Sequence, residues 1–232
     1  MPIKYYDWIG HHAACRGEKV ALIDIDTQQK VTYHELNERA NALAFWLMEN
    51  GIDKGDRVAV LTKNCPEFFE IQFACFKVGA ICLPINWRLT ASEISYIVGD
   101  SKPKMFIHDT QSKEVAKAII QSTNIKLHLE ISPESTGITY RKITGTAVKQ
   151  QAFNECYHDD ISMIMYTSGT TGHPKGALIT HQMTFYNCIN LGIPSLIDEN
   201  AVQFVTLPLF HTAGLNCYAN PILHAGGSVL LS

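Results

Sequence analysis

An α/β fold, with mixed, mostly parallel sheets flanked by helices, is what this sequence predicts, and three observations carry the prediction. Short apolar runs of strand length alternate with segments whose apolar residues recur at helical spacing. Two of the helical segments open on a Thr followed three residues later by a Glu, the reciprocal cap of a helix start. The composition is that of a globular chain, with 232 residues, 46% of them hydrophobic and 18% charged.

The elements follow in order. In VTYHELNERANALAFWLMENG, Thr32 and Glu35 form a capping box. Leu36, Ala40, Leu43, Ala44, Leu47 and Met48 make the apolar stripe of that helix, and Gly51 fits the position just past its end. RVAVLT (57–62) is a short buried strand. Pro66 suits a first helical turn and opens PEFFEIQFACFKVGA, and AICLPIN is the next strand. Thr90 and Glu93 form the second capping box, ahead of ISYIVGD. KMFIHD then reads as a strand, QSKEVAKAII as a helix and IKLHLEI as a strand. Between about residues 132 and 155 the pattern gives way to Ser, Thr, Gly and Lys, which marks a surface loop or a connection between subdomains. ISMIMY resumes as an apolar strand.

Bulk properties exclude several classes. A net charge of −3 offers no basic field for nucleic acid or an anionic membrane. Charged residues or Asn interrupt every apolar run short of a bilayer thickness, so no membrane span is expected. MPIKYYDWIGHH lacks an apolar signal core. The seven cysteines, Cys15, Cys65, Cys75, Cys82, Cys156, Cys188 and Cys217, are scattered, odd in number and form no CxxC. They predict reduced thiols, mostly in the core, in a cytoplasmic protein without a disulfide frame or zinc site.

YTSGTTGHPKG (166–176) carries the chemistry. Thr167, Ser168, Thr170 and Thr171 supply hydroxyl donors, Gly169, Gly172 and Gly176 supply backbone freedom, and Lys175 supplies a charge, with no acidic side chain to repel an anion. Composition alone fits a phosphate-binding loop and a plain Gly/Thr connection equally. It is not a Walker A loop, because Pro174 stands at the second required glycine and Gly176 at the Ser/Thr that would hold magnesium. KGALIT after the loop reads as a second strand, with the helix starting only near His181, so the loop joins two strands. Asp159 and Asp160 read as a solvated turn, and Cys217, with no base evident, as structural.

The longer string YTSGTTGHPKGALITH resembles the phosphate-binding signature of the adenylate-forming (AMP-binding) superfamily, which includes acyl-CoA synthetases, luciferases and peptide-synthetase adenylation domains. VTYHELNERANALAFWL, PINWRLTASEISYIV and PLFHTAGL (208–215) resemble further family segments, so the likeness spans the chain. The resemblance implies the N-terminal part of the large domain of an acyl-CoA synthetase, over residues 1–232. It implies ATP-dependent activation of a carboxylic acid, a fatty acid foremost, to an acyl-adenylate and then a coenzyme A thioester. By the same resemblance Thr167, Ser168, Gly169, Thr170, Thr171, Gly172 and Lys175 grip the β- and γ-phosphates, and Thr167 helps ligate Mg2+. His211 stands where amino-acid-activating relatives commonly carry an Asp; an imidazole cannot pair with a substrate ammonium, so the segment resembles acyl- or aryl-CoA synthetases with His211 near the carboxylate. Taken alone, His211 reads as a core or loop histidine. His173 falls where the family varies and is given no role.

The chain stops at GGSVLLS, whereas family members continue into a Gly-x-Thr-Glu motif, a ribose-binding Asp and a mobile C-terminal domain with a catalytic Lys. The expectation is an N-terminal portion, catalytically incomplete alone. Its cut sheet would leave an exposed edge that favours self-association, a homodimer included. Two other readings stand beside the first: an adenylating ligase that does not use coenzyme A, and a truncated protein that binds nucleotide or a partner without catalysis.

Overall fold

The computed structural model describes residues 2–123, 125–132, 139–147, 153–167 and 173–232. Their strands form two sheets. The smaller is built from β1 (Val20–Asp24), β2 (Lys30–Thr32), β9 (Val202–Val205) and β10 (Ser228–Leu231), in the order β2-β1-β10-β9. The larger is built from β3 (Arg57–Leu61), β4 (Ile81–Pro84), β5 (Met105–Asp109), β6 (Leu127–Ile131), β7 (Ile161–Thr167) and β8 (Lys175–Thr180), in the order β6-β5-β3-β4-β7-β8. Its first five strands run parallel, and only β8 is antiparallel to its neighbour. The expected mixed, mostly parallel architecture is therefore present.

The helices are α1 (Trp8–Arg16), α2 (Tyr33–Glu49), α3 (Pro66–Val78), α4 (Ala91–Ser101), α5 (Lys113–Thr123), α6 (Tyr140–Thr144), α7 (His181–Gly192) and α8 (Asn220–Ala225). A π-helical segment, Ala213–Ala219, runs into α8. Both capping boxes form: Thr32 and Thr90 accept from the backbone N–H of Glu35 and Glu93, whose carboxylates accept in return at 2.8 Å. Pro66 occupies the first turn of α3 as its fixed φ allows.

The central strands β3, β4, β5 and β7 of the large sheet are buried on both faces, which is why they read as mainly apolar runs, while the edge strands β6 and β8 are partly exposed. Val58 and Val60 of β3 enter the main core, while Ala59 and Leu61 enter a second core beneath α4 and α5. Met105 and Ile107 of β5 divide from Phe106 in the same way. Every residue of α3 is buried, polar ones included. Each buried polar side chain there has a partner: Glu67 with Arg141, Glu70 with Arg39 and Tyr140, Gln72 with Asn220, and Lys77 with Asp7 and Asn37.

The stretch near residues 132–155, expected to be a surface loop or a connection between subdomains, contains a short helix. Tyr140–Thr144 forms α6, and the fully buried Tyr140 donates its hydroxyl to Glu70 Oε2 at 2.8 Å. Five residues are too few to show a helical period in sequence. Residues 133–138 and 148–152 lie outside the described residues. All seven cysteines are free thiols; Cys75, Cys82, Cys156 and Cys188 are buried. Cys217, read as structural, is instead exposed, as is Cys15. Asp160 sits in the expected turn, accepts from the Tyr157 N–H at 2.7 Å and pairs with Lys54.

His181 opens α7 but is buried, its ring 4.3 Å from that of Tyr5 and 4.9 Å from that of Phe76, centroid to centroid. Burial pushes its pKa down from 6.5 to about 4. The fold therefore holds the neutral ring, and between those two values the unfolded chain binds a proton that the folded chain does not. This contribution to stability is fully present above pH 6.5 and is lost as the pH falls towards 4, to the extent of about 3 kcal/mol. Denaturant midpoints measured at pH 7.5 and 4.5 should fall less in His181→Phe than in the wild type. An equal fall in both proteins would show that other groups set the acid sensitivity.

Candidate functional site

Strands β7 and β8 form an antiparallel pair in which Tyr166 faces Gly176 and Thr167 faces Lys175. The signature is thus a hairpin connection, and α7 starts only after β8, as the exclusion of a Walker loop required. Ser168, Gly169, Thr170, Thr171 and Gly172 lie outside the described residues. The structure brings Thr167 and Lys175 together at the two strand ends, both exposed. Among the described residues no carboxylate pairs with Lys175.

Gly176 was expected to supply backbone freedom, and this is corrected. Its φ is not in the left-handed region; what it supplies is space. A Cβ there would lie 2.9 Å from Ile164 Cγ2 and 3.2 Å from Tyr166 Cζ, so the Tyr166 ring rests on the glycine across the strand pair.

A cavity of about 470 Å³ opens beside the hairpin, at the carboxyl ends of β4 and β7. Its walls include Asn86, Tyr96, Tyr166, Thr167, Pro174 and Phe210. Ligands of open α/β sheets bind at this end of the strands, where βα connections fan out. His173, given no role from sequence, also lines the cavity and stacks on Tyr96, with centroids 4.9 Å apart and 19° between planes. Phe210 joins the cavity to the PLFHTAGL segment, and its ring lies 6.5 Å from that of Trp87. His211, the next residue, is exposed and is not among the cavity's lining residues. Its Nδ1 accepts from the Ala213 N–H at 3.2 Å, which leaves the proton of the neutral ring on Nε2.

The segment bearing His211 is held from behind by residues that sequence reasoning missed. Asn64 donates to the carbonyls of Leu207 and Ser232 and accepts from the Leu209 N–H at 2.9 Å. Gly214 lets the chain turn tightly, since a Cβ there would lie 2.4 Å from the Pro208 carbonyl oxygen. An amide ladder then runs inward: Asn216 donates to Thr212 Oγ1, Asn220 to Asn216 Oδ1, and Gln72 to Asn220 Oδ1. The only sequence signal for it was the i, i+4 spacing of two asparagines in an apolar stretch. π-helical turns of this kind concentrate at functional sites.

The sequence model of the family described as AMP-binding enzyme matches residues 9–232. The chain belongs to that family. Among AMP-binding relatives, feruloyl-CoA synthase of Amycolatopsis sp is 33% identical over 201 residues, covering 87% of this chain and 38% of the relative. A long-chain-fatty-acid–CoA ligase of Mycobacterium tuberculosis is 35% identical over 202 residues, covering 84% of this chain and 38% of the relative. The chain thus spans about two fifths of the length of these relatives. The crystal structure of ATP-bound MatB from Rhodopseudomonas palustris superposes with a TM-score of 0.84 at 28% identity, over 97% of this chain and 44% of that one. No helix among the described residues is long and apolar enough to cross a membrane. Among the described residues no group of three or more His, Cys, Asp or Glu could hold a metal ion.

Proposed function

We propose that the protein carrying this chain activates a carboxylic acid with ATP and passes the acyl group to coenzyme A. The observation that supports this reading is the hairpin: an exposed lysine, with no carboxylate partner among the described residues, faces an exposed threonine beside a cavity that ends on Phe210 and the His211 segment. In the first step a carboxylate oxygen attacks the α-phosphorus, the bond to the bridging oxygen breaks, and pyrophosphate leaves. Negative charge grows on the departing oxygens, and donors fixed in that place stabilise the transition state more than the ground state. Thr167 and Lys175 are the described donors for the β- and γ-phosphates.

The described residues fit a phosphate group but do not build a metal cage of their own. The Thr167 hydroxyl would be the residue that helps hold a magnesium ion brought in with ATP, which would supply positive charge against the phosphates. His211 serves at the carboxylate, where Nε2–H can donate to an acyl oxygen. A fatty or aryl acid is the proposed substrate class, since the site segment offers no acid to pair with a substrate ammonium. The free thiols suit a reducing compartment, and the cytoplasm is the proposed location.

The test uses the protein expressed from its own reading frame. Incubation with Mg-ATP and a panel of fatty and aryl acids should release pyrophosphate in an acid-dependent manner. Thioester should then form with coenzyme A rather than with a carrier protein. No acid-dependent release from any member of the panel would overturn the reading, and acyl transfer to a carrier protein alone would redirect it to a ligase that does not use coenzyme A. His211→Ala should lower kcat about 10- to 100-fold while leaving the ATP half-saturation within about 3-fold, because its proposed contact is with the carboxylate. A variant that chiefly raises the ATP half-saturation would place the imidazole at the nucleotide instead.

A further inference from the structure

We propose that helix α4 positions the phosphate hairpin: Asp100 and Tyr96 fix Tyr166 and His173, and through them the facing pair Thr167 and Lys175. The inference rests on the ATP-dependent reading given above. Tyr96 and Asp100 are one helical turn apart and therefore share a face of α4. From that face Asp100 Oδ2 accepts the Tyr166 hydroxyl at 2.5 Å, immediately before Thr167. The ring of Tyr96 stacks on that of His173, two residues before Lys175. The Tyr166 ring in turn bears on Gly176, immediately after Lys175. Both strand ends of the hairpin are thus registered against one helix.

The helix is a rigid reference. Its capping box fixes the first turn, and Ile94, Ile97 and Val98 anchor it in the core beneath the large sheet. At its other end Arg57 of β3 donates to the carbonyls of Ser101 and Lys102 at 2.8 and 2.7 Å. The contacts to the hairpin, by contrast, are on the surface: Tyr96 is 39% exposed and Asp100 is exposed. A surface hydrogen bond and a surface ring stack contribute little to global stability. Holding two strand ends in register lowers the ordering cost when phosphate binds. Removing these contacts should therefore weaken ATP binding and leave the fold intact.

The experiment measures ATP affinity by titration calorimetry without any acid present, alongside steady-state kinetics and thermal unfolding. Tyr96→Leu and Asp100→Ala should each weaken ATP about 3- to 30-fold, with the carboxylate half-saturation and the unfolding midpoint unchanged. Tyr96→Phe keeps the stack and should bind ATP as the wild type does. Tyr166→Phe should match Asp100→Ala, and the pair together should lose no more than either alone, since both remove one bond. The proposal is overturned by wild-type ATP affinity in Tyr96→Leu and Asp100→Ala, by a Tyr96→Phe variant as weak as Tyr96→Leu, by losses that track a fall in melting temperature, or by a wild-type protein that binds no ATP. The two readings fail separately. ATP binding that depends on α4 without acid-dependent pyrophosphate release removes the ligase reading alone. Pyrophosphate release with unchanged ATP affinity in every variant removes the positioning role alone.

Discussion

Replacing Lys175 by Ala is expected to slow acyl-adenylate formation by roughly 10- to 1,000-fold, the range for removing one charged donor from a transition state. The residue stands at the first position of β8, opposite Thr167, and no carboxylate among the described residues competes for its charge. An exposed ammonium of this kind contributes little to folding, so unfolding by heat or denaturant should match the wild type. In the proposed reaction its effect is on charge that develops as pyrophosphate departs. The loss should therefore appear in the adenylation step more than in the affinity for the carboxylic acid. Lys175→Arg keeps a cation on a different stem and should retain more activity than Lys175→Ala. The measurement is acid-dependent pyrophosphate exchange at saturating ATP. Exchange within about 2-fold of wild type in Lys175→Ala would show the lysine to be an ordinary surface residue.

Much of the architecture was legible because local and global signals agree. Thr32 with Glu35 and Thr90 with Glu93 announce two helix starts, and both reciprocal caps form. The unbroken apolar runs of β3, β4, β5 and β7 announce strands covered on both faces, and the two cores divide them residue by residue. The absence of a helix after the glycine-rich signature already implied two strands, and β7 and β8 pair as expected. Other elements had no such signal. In α1 only Trp8, Ile9 and His12 are buried, too few for a stripe. β9 is four residues long and is paired by β10, which lies beyond the π-helical segment and α8.

The site was legible where chemistry and sequence are adjacent and illegible where they are not. Thr167 and Lys175 sit within one short motif. Tyr96 and Asp100 reach the same hairpin from a helix some 70 residues earlier, and only the fold brings them there. The four polar residues of α3 illustrate the same limit. Glu67, Glu70, Gln72 and Lys77 suggest a solvated face, yet their partners lie at the N-cap of α1 and on α2, α6 and α8 and allow the whole helix to be buried. Gly176 looked like conformational freedom in sequence, whereas its missing side chain makes room for the Tyr166 ring.

The amide ladder behind His211 is a place where a single polar-to-apolar substitution should cost much stability. Asn220→Leu is expected to lower the unfolding free energy by about 2–4 kcal/mol and the melting temperature by roughly 5–15 °C. Asn220 is fully buried, accepts from Gln72 Nε2 at 3.0 Å and donates to Asn216 Oδ1 at 2.9 Å. Leucine removes both bonds at once. It strands the Gln72 amide inside the core, where Gln72 Oε1 already has no hydrogen-bond partner. It also releases Asn216, which donates to Thr212 Oγ1 next to His211 and whose carbonyl accepts from Asn187 at 2.6 Å. If His211 serves at the carboxylate as proposed, turnover should fall along with stability. The diagnostic is the double variant. Adding Gln72→Leu replaces the stranded amide by an apolar group of similar size, so Gln72→Leu/Asn220→Leu should be more stable than the sum of the two single losses predicts. Thermal unfolding of the three variants decides it. Wild-type stability in Asn220→Leu, or strict additivity in the double variant, would show that the amides are not energetically connected.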